Sequence, residues 1–441
     1  LAAALIASLA PALAADAPTP DKGDTAWMMA ASVLVLMMTI PGLALFYAGL
    51  VRAKNVVSML MQVFAIVCLV AVLWVIYGYS LAFTGGYGAA NSFVGGLSKA
   101  FLMGVTPESN VGTFTNGVVI PELVYICFQM TFACITPALI VGGFAERMKF
   151  SALLLFIGLW VTFVYFPVAH MVWYWAGPDA MADAARKVAQ ASGDAKASAE
   201  AALAAVTADA GLAFQWGALD FAGGTVVHIN SGIAALVGAL MLGKRIGYRA
   251  EPMPPHSVTL TVVGGALLWV GWFGFNAGSA LESAGGAALA MMNTFVATAA
   301  AALAWMIFEF AFKWKMSILG LVSGAIAGLV AVTPAAGFAG PMGAAILGAV
   351  AGVVCLFFCT AIKSLLRYDD SLDVFGIHCI GGIVGAIGTG LLVNPEWGGT
   401  GVLDYVVKPG AAVVAEYARD AQLIAQVKAV ALTLVWSGLG S

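Results

Sequence analysis

The sequence predicts an all-α polytopic membrane protein: eleven transmembrane helices in a 5+5 inverted repeat, with the N-terminus outside. Three observations predict it. Of the 441 residues, 62% are hydrophobic and only 9% are charged, against about 25% charged in soluble domains. The apolar residues gather in runs near the ~20 residues that a helix needs to cross a bilayer. Short motifs also recur, in the same order, in the two halves of the chain. This composition excludes a soluble enzyme, a disordered regulator and a nucleic-acid binder, and a net charge of −3 gives no basic surface for a polyanion. The 52 glycines fit helices that pack closely in lipid.

Taken in order, residues 1–15 are short and apolar and end in an A-x-A pattern, Ala12-Leu13-Ala14. They read as the later part of a signal peptide, leaving 16–441 as the transmembrane domain. Spans are expected near 27–50, 56–83, 121–143, 151–172, 221–242, 257–277, 287–312, 317–333, 342–366, 374–393 and 427–441. Eleven of the nineteen basic residues fall in short loops after every second span: Arg52 and Lys54; Arg147 and Lys149; Lys244, Arg245 and Arg249; Lys313 and Lys315; Lys363 and Arg367. The positive-inside rule makes those loops cytoplasmic. The Ala-rich stretch 179–210 has no apolar span and reads as an outer insertion, partly helical. The final apolar stretch, read from Val427, is too short to cross. An incomplete eleventh helix and a missing tail are therefore expected.

The repeat rests on three pairs of motifs. Phe46-Tyr47-Ala48-Gly49 recurs as Phe275-Asn276-Ala277-Gly278, and Ile135-Thr136-Pro137-Ala138 as Val332-Thr333-Pro334-Ala335. The pattern H-x3-G-I-x4-G starts at His228 and again at His378. Five spans per half would place the second half upside down, an arrangement of transporters and channels that puts the site near mid-membrane.

The two histidines hold the same repeat position, so a twofold axis in the membrane plane would bring them together. Neutral imidazole both donates and accepts, so two facing rings can share one hydrogen bond. That suits a small hydrogen-bonding solute or a proton relay. Metal or haem ligation would need further ligands at suitable spacing, and the sequence places none there; no cofactor is expected. The six cysteines lie in apolar runs and read as buried small hydrophobes. Asp220 opens the fifth span and reads both as a helix N-cap and as a fixed charge under an outer vestibule; Asn in its place is expected to keep the cap and remove the charge. Asp370 lies at the matching place in the second half, and Asp373 one turn nearer His378; both are candidate caps. Phe128, Phe132, Trp173, Trp272 and Phe275 cluster toward one membrane face beside Ser279, and could form a cation–π box worth about 0.5–2 kcal/mol per ring.

At these residues the chain resembles the ammonium transporter (Amt/Mep/Rh) family, on its Amt branch. The resemblance covers about residues 27–441 outside the insertion, through DFAGGTVVHIN (Asp220–Asn230), GWFGFNAGSA (Gly271–Ala280), FACITPALIVGGFAER (Phe132–Arg147) and DVFGIH (Asp373–His378). It implies a homotrimer in the bacterial inner membrane with one pore per subunit. Phe128, Phe132, Trp173 and Ser279 match the family's ammonium recruitment site, and Phe132 with Phe275 its phenylalanine gate. Asp220 matches the acid beneath that site, His228 and His378 the pore histidines, and Gln129 and Trp272 lesser pore-wall positions. A PII-type signalling protein is implied as a cytoplasmic partner. The insertion, with Tyr174 and Trp175 beside Trp173, is expected to reshape the mouth. The reading is therefore an ammonium transporter that takes up ammonium ion, deprotonates it near Asp220 and conducts ammonia. The alternatives are an ammonium sensor and an electroneutral Rh-like gas channel; nothing pairs a nucleophile with a base as an enzyme would require.

Overall fold

The structure, a computed structural model, describes residues 18–408 and 412–441. The expected signal peptide lies outside the described residues. Among these, ten helices are long and apolar enough to cross a membrane: α1 (Lys22–Leu50), α2 (Ala53–Phe83), α3 (Glu122–Phe144), α4 (Phe150–Trp173), α7 (Gly224–Leu242), α8 (Val258–Gly278), α9 (Gly285–Lys313), α11 (Pro341–Leu366), α12 (Phe375–Leu392) and α13 (Arg419–Gly440). The shorter apolar helix α10 (Ile318–Val332) stands between α9 and α11. Helices α5 (Pro178–Gln190) and α6 (Asp194–Ala208) turn the insertion into a two-helix hairpin. Two short antiparallel pairs also form, β1 (Asn110–Gly112) with β2 (Val119–Pro121), and β3 (Leu403–Asp404) with β4 (Val413–Val414).

The last helix corrects the sequence reading. It begins at Arg419, about two turns before Val427, and its 22 residues are long enough to span. Arg419, Asp420, Gln422 and Gln426 made those turns look like loop. Gln422 and Gln426 are in fact buried against neighbouring chain.

Packing follows the small residues. α1 lies along α8, and α9 along α10 and α11. At the centre, the body of α7 packs on the first turn of α12, and the body of α12 on the first turn of α7. Two equivalent glycines permit this crossing. A Cβ on Gly232 would sit 2.7 Å from Cys379 Cα, and one on Gly382 would sit 2.9 Å from Gly224 O and from an Ile229 side-chain carbon. The crossing sets the first turns of the two helices side by side.

The basic loops gather on one face. Arg52 binds Glu146 from the next such loop, through its backbone N (2.9 Å) and Nε (2.7 Å). Arg147 reaches the carbonyls of Gly143 and Asp369 and the Ser371 hydroxyl. Arg245 grips Asp369 at 2.8 and 3.0 Å, and Arg147 stands 3.6 Å from the same carboxylate. Four of the five basic loops are thus tied together, with the Asp369 side chain fully buried. We call this the basic-loop face and the opposite one the hairpin face.

Burial alone would raise both Asp369 and Glu146, but the arginine bonds outweigh it and hold both carboxyls below their ordinary values of 3.8 and 4.5. A depressed folded value means that this stability is present above the unfolded pKa and is lost as pH falls through the folded one. The melting temperature of the detergent-solubilised protein should therefore fall on acidification below about pH 4.5. Asp369→Asn should shrink that acid-dependent fall and destabilise by about 3–5 kcal/mol at pH 7, because it strands two buried arginines.

Candidate functional site

Two helices begin inside the protein, and each starts on a carboxylate. Asp220 uses both oxygens. Oδ1 accepts from the N–H groups of Gly223 (2.8 Å) and Gly224 (2.6 Å), and Oδ2 from those of Thr225 (2.8 Å) and Val226 (3.2 Å) and from the Thr225 hydroxyl. Asp370 accepts from Val374 (3.1 Å) and Phe375 (2.8 Å). Burial pushes the Asp370 carboxyl up to about 6; Lys363 opposes this and Asp373 reinforces it. Asp373 caps nothing with its side chain but pairs with Lys363 at 2.6 Å. Of the two candidate caps in the second half, only Asp370 serves.

The Asp220 cap does more than the sequence reading expected. A carboxamide offers one acceptor oxygen and an NH2 that would face N–H groups, so Asn cannot keep this cap. The first turn of α7 is widened as well: the His228 N–H reaches back five residues to the Gly223 carbonyl (3.1 Å). Gly223 sits at φ +112°, and the Trp173 ring lies 3.5 Å from where its Cβ would be. The Trp173 indole N–H donates to the Asp220 carbonyl (2.9 Å). One residue therefore anchors the first turn of α7 through its carboxylate and the Trp173 ring through its carbonyl.

Each histidine lies eight residues beyond its aspartate. Their Nδ1 atoms stand 3.2 Å apart, with both side chains buried. At that distance one ring donates and the other accepts. His228 Nε2 has no protein partner.

The rings form a continuous column. Phe132 stacks on Phe275 with centroids 4.1 Å apart. Phe275 lies 6.0 Å from His228, and His228 5.3 Å from His378, with interplanar angles of 28° and 30°. Trp272 flanks His228 at 5.3 Å and is held by its indole N–H on the Thr333 hydroxyl (2.9 Å). At the hairpin-face end, Phe128 (5.0 Å) and Trp173 (5.7 Å) meet Phe132 edge-on. The Phe128 ring abuts Gly278, next to Ser279. The Ser279 hydroxyl donates to the Phe275 carbonyl (2.8 Å), which leaves its lone pairs free to accept. Beside the column lies a cavity of about 10 Å³, touching His228, His378, Trp272 and Phe275. That is about the room one water needs.

Nine of the ten sequence-selected residues thus belong to one connected site. Gln129 stands apart. It does not line the cavity, and its half-buried side chain leaves Oε1 without a partner. Tyr174 and Trp175 do not join the Phe132 group either. Tyr174 stacks on His170 (4.5 Å) and donates to Asp209 (3.0 Å), while Trp175 stacks on Phe214 (5.1 Å). Sequence reasoning missed Phe46, which lines the cavity from α1. Its signal was present, since Phe46 is the repeat mate of Phe275.

The sequence model described as the Ammonium Transporter Family matches residues 26–441. The chain belongs to that family. It is 46% identical over 374 residues to an ammonium transporter of Bacillus subtilis (strain 168), covering 85% of this chain and 81% of the relative. It is 42% identical over 422 residues to one of Aquifex aeolicus (strain VF5), covering 95% and 85%. The crystal structure of Saccharomyces cerevisiae Mep2 superposes with a TM-score of 0.76 at 32% identity, covering 95% of this chain and 86% of that one. Family membership bears out the resemblance read from the sequence.

In this member of the family, Asp220→Asn should destabilise the protein by about 2–3 kcal/mol, because buried N–H groups lose their acceptor. Thermal melting in detergent checks this. An unchanged melting temperature would leave the carboxylate with its charge as its only role.

Proposed function

We propose that the chain is an ammonium transporter. Ammonium ion is collected at Phe128, Phe132, Trp173 and Ser279, and ammonia passes the Phe132–Phe275 gate and the His228–His378 pair while the proton takes a separate route. The observation that carries this reading is the unbroken ring column beneath Trp173, ending on two hydrogen-bonded histidines.

Magnitudes support separating the ion from its proton. Cation–π contacts supply about 0.5–2 kcal/mol per ring. Effective desolvation of an ion in a protein interior costs several kcal/mol even after relaxation. Rings can hold a cation that keeps part of its water at the mouth, yet cannot offset stripping it bare at the gate. Neutral ammonia carries no such penalty, and the histidine pair offers it both a donor and an acceptor. Asp220 has both oxygens engaged in the cap, so it favours the cation through its charge and through the carbonyl that aims Trp173. Proton loss occurs near it, with desolvation at the gate as the driving force.

The same reading makes the two halves an inverted repeat. Equal Asp-to-His spacings, the reciprocal Gly232 and Gly382 contacts and the mutual packing of α7 and α12 support it. Helix α10 is then an eleventh crossing, short because it ends on the Thr333 that braces Trp272. The clustered basic loops favour a cytoplasmic basic-loop face, with the N-terminus and hairpin outside a bacterial inner membrane. A homotrimer and docking of a PII-type protein on the basic-loop face follow from the family resemblance.

The test is ammonium-evoked charge movement in proteoliposomes, read together with internal pH. The expected result is a saturable current that is lost in His228→Leu/His378→Leu. Internal alkalinisation without current would replace this reading with neutral ammonia conduction, and silence in both would favour sensing.

A further inference from the structure

The first turns of α13 carry two buried glutamines four residues apart, Gln422 and Gln426. The Gln426 carboxamide uses both of its polar atoms. Oε1 accepts from the Leu219 N–H (2.6 Å), while Nε2 donates to the Leu219 carbonyl (2.9 Å) and the Ala386 carbonyl (2.7 Å). One side chain thereby makes to Leu219 the double bond pattern by which paired strand residues hold each other. Gln422 donates from Nε2 to the Gly217 carbonyl (2.9 Å) and to Gln426 Oε1 (3.3 Å). Residues 217–219 have no regular structure of their own.

Leu219 is the residue before Asp220. The Asp220 carbonyl, one peptide further on, receives the Trp173 indole. Ala386 lies on α12, two turns beyond His378. A single carboxamide thus joins the main chain that aims Trp173 to the helix that carries His378. The hydrogen bonds of Gln426 run to main chain and to Gln422, and none of them to a column ring.

We infer that Gln426 is a positioning residue for the cation-collecting site: it sets the place of the Asp220 carbonyl and, through it, the angle of the Trp173 ring over Phe132. This rests on the proposed role of Trp173 in collecting ammonium. An apolar side chain of the same length would take the partner from both Leu219 groups, which are only part-buried, and would leave the loop without its fixed anchor on α12. The loop would shift, and Trp173 with it.

The test uses Gln426→Met, close in length and volume, with Gln422→Met and Trp173→Leu for comparison. Each full chain is purified as monodisperse protein, reconstituted at equal density and read by ammonium-evoked current. The expected result for Gln426→Met is a half-saturating ammonium concentration raised about fivefold, the scale of one net hydrogen bond, with the maximal current within about twofold of wild type. Gln422→Met should shift it less. A merely structural role would lower the maximal current through loss of active protein and leave half-saturation in place; that outcome overturns the inference. If Trp173→Leu raises half-saturation and Gln426→Met does not, the inference falls and the collecting role of Trp173 stands. If Trp173→Leu leaves it unchanged, the collecting role falls and takes the inference with it. Should Gln426→Met not be recovered folded, Gln426→Glu is read the same way: it keeps an acceptor for the Leu219 N–H, loses the donor, and is expected to shift half-saturation in the same direction.

Discussion

A helix that starts below the membrane surface exposes N–H groups where there is no water to receive them. The site of this protein depends on how that problem is solved twice. Asp220 satisfies four backbone N–H groups and Asp370 two, and each holds a histidine eight residues further along. With the caps in place, the first turns of α7 and α12 can lie buried side by side, and the imidazoles meet. Without them, neither helix could begin where it does.

Everything around the pair serves closeness. Glycine stands at each crossing contact, so backbones approach to side-chain distance. Trp272 is locked by Thr333, which fixes one wall. Phe132 and Phe275 stack at 4.1 Å and shut the column toward the hairpin face. The proposed path has little room, so under that reading selection rests on what can shed charge and fit. Under the proposed function, the aromatic end and the polar pair differ in what they reward: the rings a cation, the pair a neutral solute that donates and accepts.

Much of this was legible in the sequence because hydropathy and small repeated motifs record it directly. The bounds of α3, α4, α7 and α8 were read to within three residues, since lipid demands apolar runs there. The histidines emerged from the repeat alone. What stayed hidden depended on polar groups facing inward. Gln422 and Gln426 look like loop composition, yet they are buried and bind the irregular main chain of residues 217–219, so α13 was begun two turns late. Asp220 was recognised as a cap, but the number of bonds it accepts is a three-dimensional fact, and it argues against the expectation that Asn keeps the cap. The Ala-rich insertion gave no apolar signal for its two helices, whose stability comes from propensity and local contacts. Phe46 carried its signal in the repeat and went unread, because motif matching had marked the position without asking what its ring would line.

The account stands on two neutral imidazoles sharing one hydrogen bond between their Nδ1 atoms. Nitrogen-15 NMR of the histidine-labelled protein in bilayers at neutral pH tests this directly. The account predicts opposite tautomers for His228 and His378, one with Nδ1 protonated and one with Nδ1 accepting, and a coupling between the two Nδ1 nuclei across the bond. Two rings with the same tautomer and no such coupling would contradict it.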